Sequence, residues 1–434
     1  VRNIVDTGHT YDNPDRIHSM PNKISPRVNG QFHLMIKPTG AACNLSCDYC
    51  YYLDKSHLYP NQKTKMDIET LERITAAYIQ SHPGPDIVFG WQGGEPLLMG
   101  IDFFRSALDF QKKYSRPGLR ISNAIQTNAT LIDDDWAAFF HENKFLVGVS
   151  IDGPIEMHDY YRKDAGGKPS HAKVLTAINA LQRNKVDFNA LVTVNKANVE
   201  HPLRVYRFLT GLGIDFIQFI PIVEKTGHRS RQVTPFTVDP DKYGEFLCKI
   251  FEYWSHNDVG RVFIQLFEST LSSWMGQPAT VCVYAQTCGM ALAVEHNGDL
   301  FACDHYVYPE YFRGNITDAA TLKTMIESRE QLSFGRGKAD NLPPECRKCD
   351  CLLFCNGDCP KHRLRLGRDN KLYSYLCPGL KKFFHHSAAT FKAMAQELRA
   401  GRPAMNVMIA LREMEEIRRT TVPRRTSVTS RVKK

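Results

Sequence analysis

The chain reads as an α/β protein, an incomplete (β/α)6 barrel followed by a cysteine-rich region and C-terminal helices. Three observations predict this. Short apolar runs alternate with amphipathic helical stretches from Phe32 to Pro221; the alternation counts six units, too few for a closed eight-stranded barrel; and nine cysteines fall between Cys282 and Cys377. At 434 residues the chain exceeds one ordinary domain and can bury a core in one large and one smaller unit.

The strand candidates are Phe32–Lys37, Asp86–Trp91, Leu119–Gln126, Phe145–Ile151, Asp187–Val194 and Phe216–Pro221. Helical periodicity covers Asp67–His82, Ile101–Tyr114, Asp133–Asn143, Ser170–Arg183 and Pro202–Gly211. Strand and helix in strict succession demand a parallel sheet with right-handed crossovers, here splayed rather than closed. Residues 1–30 are polar and proline-bearing and read as a flexible leader, without the apolar core of a signal peptide. The barrel is expected over 31–276 and the cysteine-rich region over 277–384. An amphipathic helix over 385–417, broken near Gly401-Arg402-Pro403, leads to a basic Ser/Thr-rich tail over 418–434 that reads as disordered.

Hydrophobic residues make up 43% and charged residues 23%, the balance of a soluble globular protein. The net charge of +9 is partly carried by the tail, so it is only a weak argument for nucleic acid; an acidic peptide or protein partner suits it equally. No apolar run reaches the ~18 residues of a membrane span. An odd, clustered set of 13 cysteines without an export signal points to metal ligation in a reducing cytoplasm.

In parallel sheets of this kind function gathers at the C-terminal strand ends. After the first strand come Cys43, Cys47 and Cys50. A structural zinc site uses four protein ligands, so this set is either three-quarters of one or a centre with an open position; on a four-iron cluster, three thiolates leave one iron free. After the second strand comes Gln92-Gly93-Gly94-Glu95-Pro96, where the glycine pair lets backbone approach a ligand and Glu95 is placed to meet a cation. A Gly-Gly turn can also be a plain strand-to-helix turn. Thr127-Asn128 after the third strand and Ser150-Ile151-Asp152-Gly153 after the fourth make four polar loops at matching ends.

The cysteine spacing, Tyr49 before the last cysteine, Gly93-Gly94-Glu95-Pro96 and the strand order resemble the radical S-adenosylmethionine (radical SAM) enzymes. The resemblance implies a [4Fe-4S] cluster on Cys43, Cys47 and Cys50 whose open iron binds S-adenosylmethionine and releases a hydrogen-abstracting 5′-deoxyadenosyl radical on reduction. Farther on, the pair Cys346/Cys349 alone suits a zinc ribbon. Nine cysteines exceed one zinc's need, and eight match the SPASM extension with its two auxiliary [4Fe-4S] clusters. The resemblance assigns Cys282, Cys288, Cys303 and Cys359 to one and Cys346, Cys349, Cys355 and Cys377 to the other. Cys248 and Cys351 are left over as small packing side chains.

Phe32-His-Leu-Met-Ile-Lys-Pro38, Trp91–Leu97, Gln126-Thr-Asn128, Ser150–Gly153, Gln218–Pro221 and Cys303-Asp-His305 resemble the anaerobic sulfatase-maturating enzymes, from Phe32 to Phe384. What this implies is oxygen-independent oxidation of a Cys or Ser in an unfolded or nascent sulfatase, within Cys/Ser-x-Pro-x-Arg, to Cα-formylglycine. A reductant such as flavodoxin or ferredoxin is implied too. It implies Asp304 as the base that takes the substrate proton, and Tyr49, Gly94, Ser150, Arg162 and the Val223 backbone as contacts to S-adenosylmethionine. Arg162 suits a carboxylate by bidentate pairing, or else pairs with Asp164. Asp304 could instead hydrogen-bond the Cys303 loop, and His305 reads as structural. Asn128-Ala129 stands where relatives often have Asn-Gly, so Ala129 is strained if its φ is positive. The alternatives are another SPASM-type enzyme making a thioether or an epimer, and a non-catalytic iron–sulfur or zinc module that would not need Gly94, Ser150 and Arg162.

Overall fold

The computed structural model describes residues 31–60, 64–227, 230–317 and 319–421; the leader and residues 422–434 of the tail lie outside it. Six parallel strands follow the alternation of the sequence: β1 His33–Ile36, β2 Asp86–Trp91, β3 Arg120–Thr127, β4 Leu146–Ser150, β5 Phe188–Val194 and β6 Phe216–Pro221. Each pairs with the next. The crossovers carry α1 Ile68–Ser81, α2 Ile101–Tyr114, α3 Asp134–Glu142, α4 Ile155–Tyr161, α5 His171–Arg183 and α6 Pro202–Gly211. Side chains fix where several of these start. Asp67 and Asp133 accept the amides of Thr70 and Trp136 as N-caps, and Pro202 opens α6 where its missing N–H costs nothing. The seven residues of α4 are too few to show a period, and this helix was not expected.

Past β6 come α7 Pro240–Asn257, β7 Phe263–Ile264 and α8 Gln265–Trp274. Strand β7 pairs parallel with β6 through Phe216↔Phe263 and Ile217↔Ile264, so the sheet has one strand more than the six expected. At the other edge, β8 Ala291–Val294 pairs parallel with β1, His33 opposite Ala291 and Ile36 opposite Val294. Strands β9 Asp299–Phe301 and β10 Phe312–Asn315 continue antiparallel. The open sheet therefore runs β10-β9-β8-β1-β2-β3-β4-β5-β6-β7, and the cysteine-rich region extends the barrel sheet instead of standing apart from it.

The helix expected from residue 385 begins earlier, at Cys377, because Pro378 in its first turn pre-sets helical φ; it runs to Arg399. After Gly401, at φ +70°, a second helix spans Val407–Thr421 and so takes in the first residues of the expected tail. The first of these helices lies against α7 at Gly379, where a Cβ would meet the Pro240 carbonyl oxygen at 1.9 Å. Phe383 stacks on Phe267 and Phe391 meets Phe251, with ring centroids 5.4 and 4.8 Å apart. No helix among the described residues is long and apolar enough to cross a membrane.

Candidate active site

Cys43, Cys47 and Cys50 lie in the irregular loop that leaves β1. The loop after β2 clamps it by backbone bonds, Gly94 N to Gly40 O at 2.7 Å and Glu95 N to Ala42 O at 2.9 Å. A Cβ on Gly94 would sit 2.0 Å from the Ala42 carbonyl oxygen, so the glycine is needed for this backbone-to-backbone approach. Glu95, fully buried, is not left free for a cation. Its Oε1 accepts from Leu97 N (3.0 Å) and Thr127 Oγ1 (2.7 Å) and its Oε2 from Asn128 N (2.7 Å), tying the second loop to the third. Burial pushes its carboxyl up to about 7. Asn128 in turn reaches the Cys43 sulfur at 3.6 Å, and Ala129 does take the positive φ, +62°. Burial also pushes the Cys47 thiol up to about 12 against the pull of Arg162, so it becomes a ligand only as a metal displaces its proton.

At the ends of β4 and β5 a buried triangle forms. Tyr49 donates to Asp152 Oδ2 at 2.5 Å and accepts from Arg162 Nη1 at 2.9 Å. Asp152 is fixed by the Thr193 amide at 3.0 Å on its other oxygen. Arg162 does not pair with Asp164, which accepts the amides of Gly166 and Lys168 instead. The Arg162 Nε is buried with no partner, a donor suited to an anionic group from outside the chain. Ser150 ends β4 half-buried, and Val223 is buried just past β6. Three thiols and an orphaned guanidinium N–H at the same sheet end fit a cluster that keeps one iron for a ligand bearing a carboxylate.

The later cysteines sort by proximity. Cys303 lies within electrostatic reach of Cys282 and Cys359, and Cys288 of Cys282. Separately, Cys346 neighbours Cys349 and Cys377, and Cys355 neighbours Cys346 and Cys377. Two groups of four soft donors fit iron–sulfur clusters closed by protein, with the Asp350 carboxylate standing beside Cys349 in the second. Cys351 is buried beside Cys349 and Asp350, and Cys248 is buried in α7.

Asp304 follows Cys303 and meets the first cysteine loop. Its Oδ2 accepts from Tyr51 OH at 2.5 Å, and its Oδ1 pairs with Lys37 Nζ. Lys37 is fully buried, donates to Gln92 Oε1 at 3.3 Å, and lies 4.2 Å from the centre of the Tyr52 ring. Burial raises the Asp304 carboxyl, but Lys37 and the Tyr51 hydrogen bond outweigh it and hold the group below the usual carboxylate range. His305 is pushed down to about 3 by burial and sits with Nδ1 3.8 Å from the Cys359 sulfur. Lys37, Tyr51 and Asp152 were not among the expected site residues. A lysine closing an apolar strand was the one signal that could have found Lys37.

Two family models match the chain, the radical SAM superfamily over residues 38–209 and an iron–sulfur cluster-binding domain over 282–350. The serine-type anaerobic sulfatase-maturating enzyme of Bacteroides thetaiotaomicron is 45% identical over 396 residues, 88% of this chain and 95% of that one. The cysteine-type enzyme of Clostridium novyi is 34% identical over 84% of this chain and 97% of its own. The solved structure of native anSMEcpe with bound AdoMet and the Cp18Cys peptide superposes with a TM-score of 0.76 at 32% identity, covering 84% of this chain and 99% of that one.

Proposed function

The chain belongs to the anaerobic sulfatase-maturating enzymes of the radical SAM superfamily, which convert a Cys or Ser of a sulfatase to Cα-formylglycine, and we propose how its residues divide that work. Cys43, Cys47 and Cys50 would hold a [4Fe-4S] cluster, which with bound S-adenosylmethionine would supply the radical chemistry that takes a hydrogen atom from the substrate Cβ. Arg162 pairs with the carboxylate of that ligand, and Tyr49 and Asp152 hold Arg162 in place. Gly94, Ser150 and the Val223 backbone would contact the same ligand. Asp304 then takes the thiol or hydroxyl proton, kept ionised by Lys37 and aimed by Tyr51. The four-cysteine set that contains Cys303 would hold the cluster able to receive the remaining electron. The substrate is a sulfatase peptide, read here as Cys/Ser-x-Pro-x-Arg, and a flavodoxin or ferredoxin in the reducing cytoplasm supplies electrons.

One observation carries this reading: the 2.5 Å bond from Tyr51, next to Cys50, to Asp304, next to Cys303. The bond joins Asp304 to the loop of Cys43, Cys47 and Cys50, and this contact supports reading the carboxylate as the base of an oxidation that removes a hydrogen atom, a proton and an electron.

The test is Asp304→Asn, which keeps shape but cannot accept the proton. Formation of formylglycine in a Ser or Cys peptide, read by mass as loss of two hydrogens or of the thiol, is expected to fall at least ~10²-fold. Iron content and 5′-deoxyadenosine production stay. Near-normal formylglycine would put the base elsewhere, and iron lost in step with activity would make Asp304 a support for Cys303.

A further inference from the structure

Lys338 lies in the helix Arg329–Asp340 with 1% of its surface exposed. Its Nζ donates to the carbonyl oxygens of Cys282 at 2.7 Å and Val283 at 2.6 Å. A buried ammonium without an opposite charge is disfavoured by several kcal/mol, yet Lys338 forms no ion pair with a carboxylate among the described residues. Asp358, the carboxylate whose charge reaches it, accepts on its Oδ2 from Ser374 Oγ at 2.7 Å and lies 3.0 Å from His362 Nδ1 there. The thiols of Cys282, Cys288 and Cys359, three of one set of four, lie within electrostatic reach of it. The same helix is pinned to that set one turn earlier, where Gly335 lies so close that a Cβ would meet the Cys288 carbonyl oxygen at 2.3 Å.

We propose that Lys338 is the counter-ion of the auxiliary cluster on Cys282, Cys288, Cys303 and Cys359 and raises its reduction potential. This rests on that set holding a four-iron cluster. With four thiolates, such a cluster in its 2+ core state carries a net charge of about −2, and one added electron makes it about −3. A fixed positive charge in a low-dielectric setting favours the more negative state. Lys338 thereby makes the acceptor beside Asp304 better able to take the single electron that leaves the substrate as Asp304 takes its proton.

The experiment is a redox titration followed by electron paramagnetic resonance on reconstituted full-length protein, in a Cys43→Ala, Cys47→Ala, Cys50→Ala background so that only auxiliary signals remain. Lys338→Met, which keeps volume and removes charge, is expected to shift the reduction equilibrium of one auxiliary cluster at least tenfold toward the oxidised state, about 59 mV for one electron. Lys338→Arg, which keeps the charge, is expected to stay near the parent. Loss of one cluster in Lys338→Met with its retention in Lys338→Arg also supports a role for the charge. An unchanged potential in Lys338→Met, or identical behaviour of the two variants, overturns the proposal. A parent protein with only one auxiliary cluster would instead remove the cluster assignment, and this proposal with it.

Discussion

The loop of Cys43, Cys47 and Cys50 and the stretch from Cys282 to Cys377 both gather thiols, yet they are built in opposite ways. The first stands at the end of a parallel strand, over a packed apolar core, and its backbone is bonded to the glycine loop after β2. The second has strands of three or four residues, the four-residue helices Pro344–Arg347 and Leu352–Cys355, and left-handed backbone at Asn356 and Asp358. One site is held by the protein before any metal arrives. The other is held by isolated side-chain bonds across short elements, Lys338 to the Cys282 and Val283 carbonyls, Gln331 to those of Gly289 and Ala302 and Asn356 to that of Tyr284, so bound metal adds to its folding free energy.

Replacing Cys43, Cys47 and Cys50 together by Ala tests the first half of that contrast and has the largest effect. Cleavage of S-adenosylmethionine is expected to vanish, while iron falls only from about twelve to about eight per chain and thermal unfolding barely moves. A chain that loses its fold would show that the first loop depends on metal as well. Gly379→Ala probes the second half. Its Cβ would stand 1.9 Å from the Pro240 carbonyl oxygen, so the helix must shift two residues from its first ligand, Cys377. About four iron are expected to be lost, with cleavage of S-adenosylmethionine retained; full iron content would mean that this ligand set tolerates displacement.

The smallest effect lies in the barrel. Burial pushes the Glu268 carboxyl, in α8, up to about 7. Below about pH 4.5 folded and unfolded chains both carry it neutral; as pH rises toward 7 the unfolded chain ionises first, and stability is lost. Glu268→Gln is therefore expected to raise the barrel's unfolding free energy by about 2 kcal/mol at pH 8 and to change nothing at pH 4. Chemical denaturation at the two pH values, with and without iron, measures this. A gain that depended on iron would blur the contrast between the regions.

The same contrast explains what was legible in the sequence. Strands β2 and β6 and helices α2 and α6 have the expected bounds, and the other expected barrel elements differ by one residue at one or both ends, because their caps and periods are local. Strands β7 to β10, of two to four residues, carry no usable period, so the ten-stranded sheet could not be foreseen. Cysteine spacing marked the candidate ligand sets, but the partners of Asp304 depend on contacts across the fold. Tyr51 is 253 residues from Asp304 in the chain. Glu95 read as a ligand group because nothing local shows that Thr127 and Asn128 occupy its oxygens.

The pairing of β8 with β1 also bears on how the protein is made. At roughly 5–20 residues per second, a ribosome needs about 13–50 s to pass from the end of β1 to the start of β8. Throughout that interval the strand leading into Cys43 presents one row of unsatisfied N–H and C=O groups, an edge open to foreign strands. A nascent chain cut before Ala291 would keep that edge permanently. The barrel sheet and the cysteine-rich region are therefore not separable pieces, and β1, the first of the described strands, is among the last to be completed.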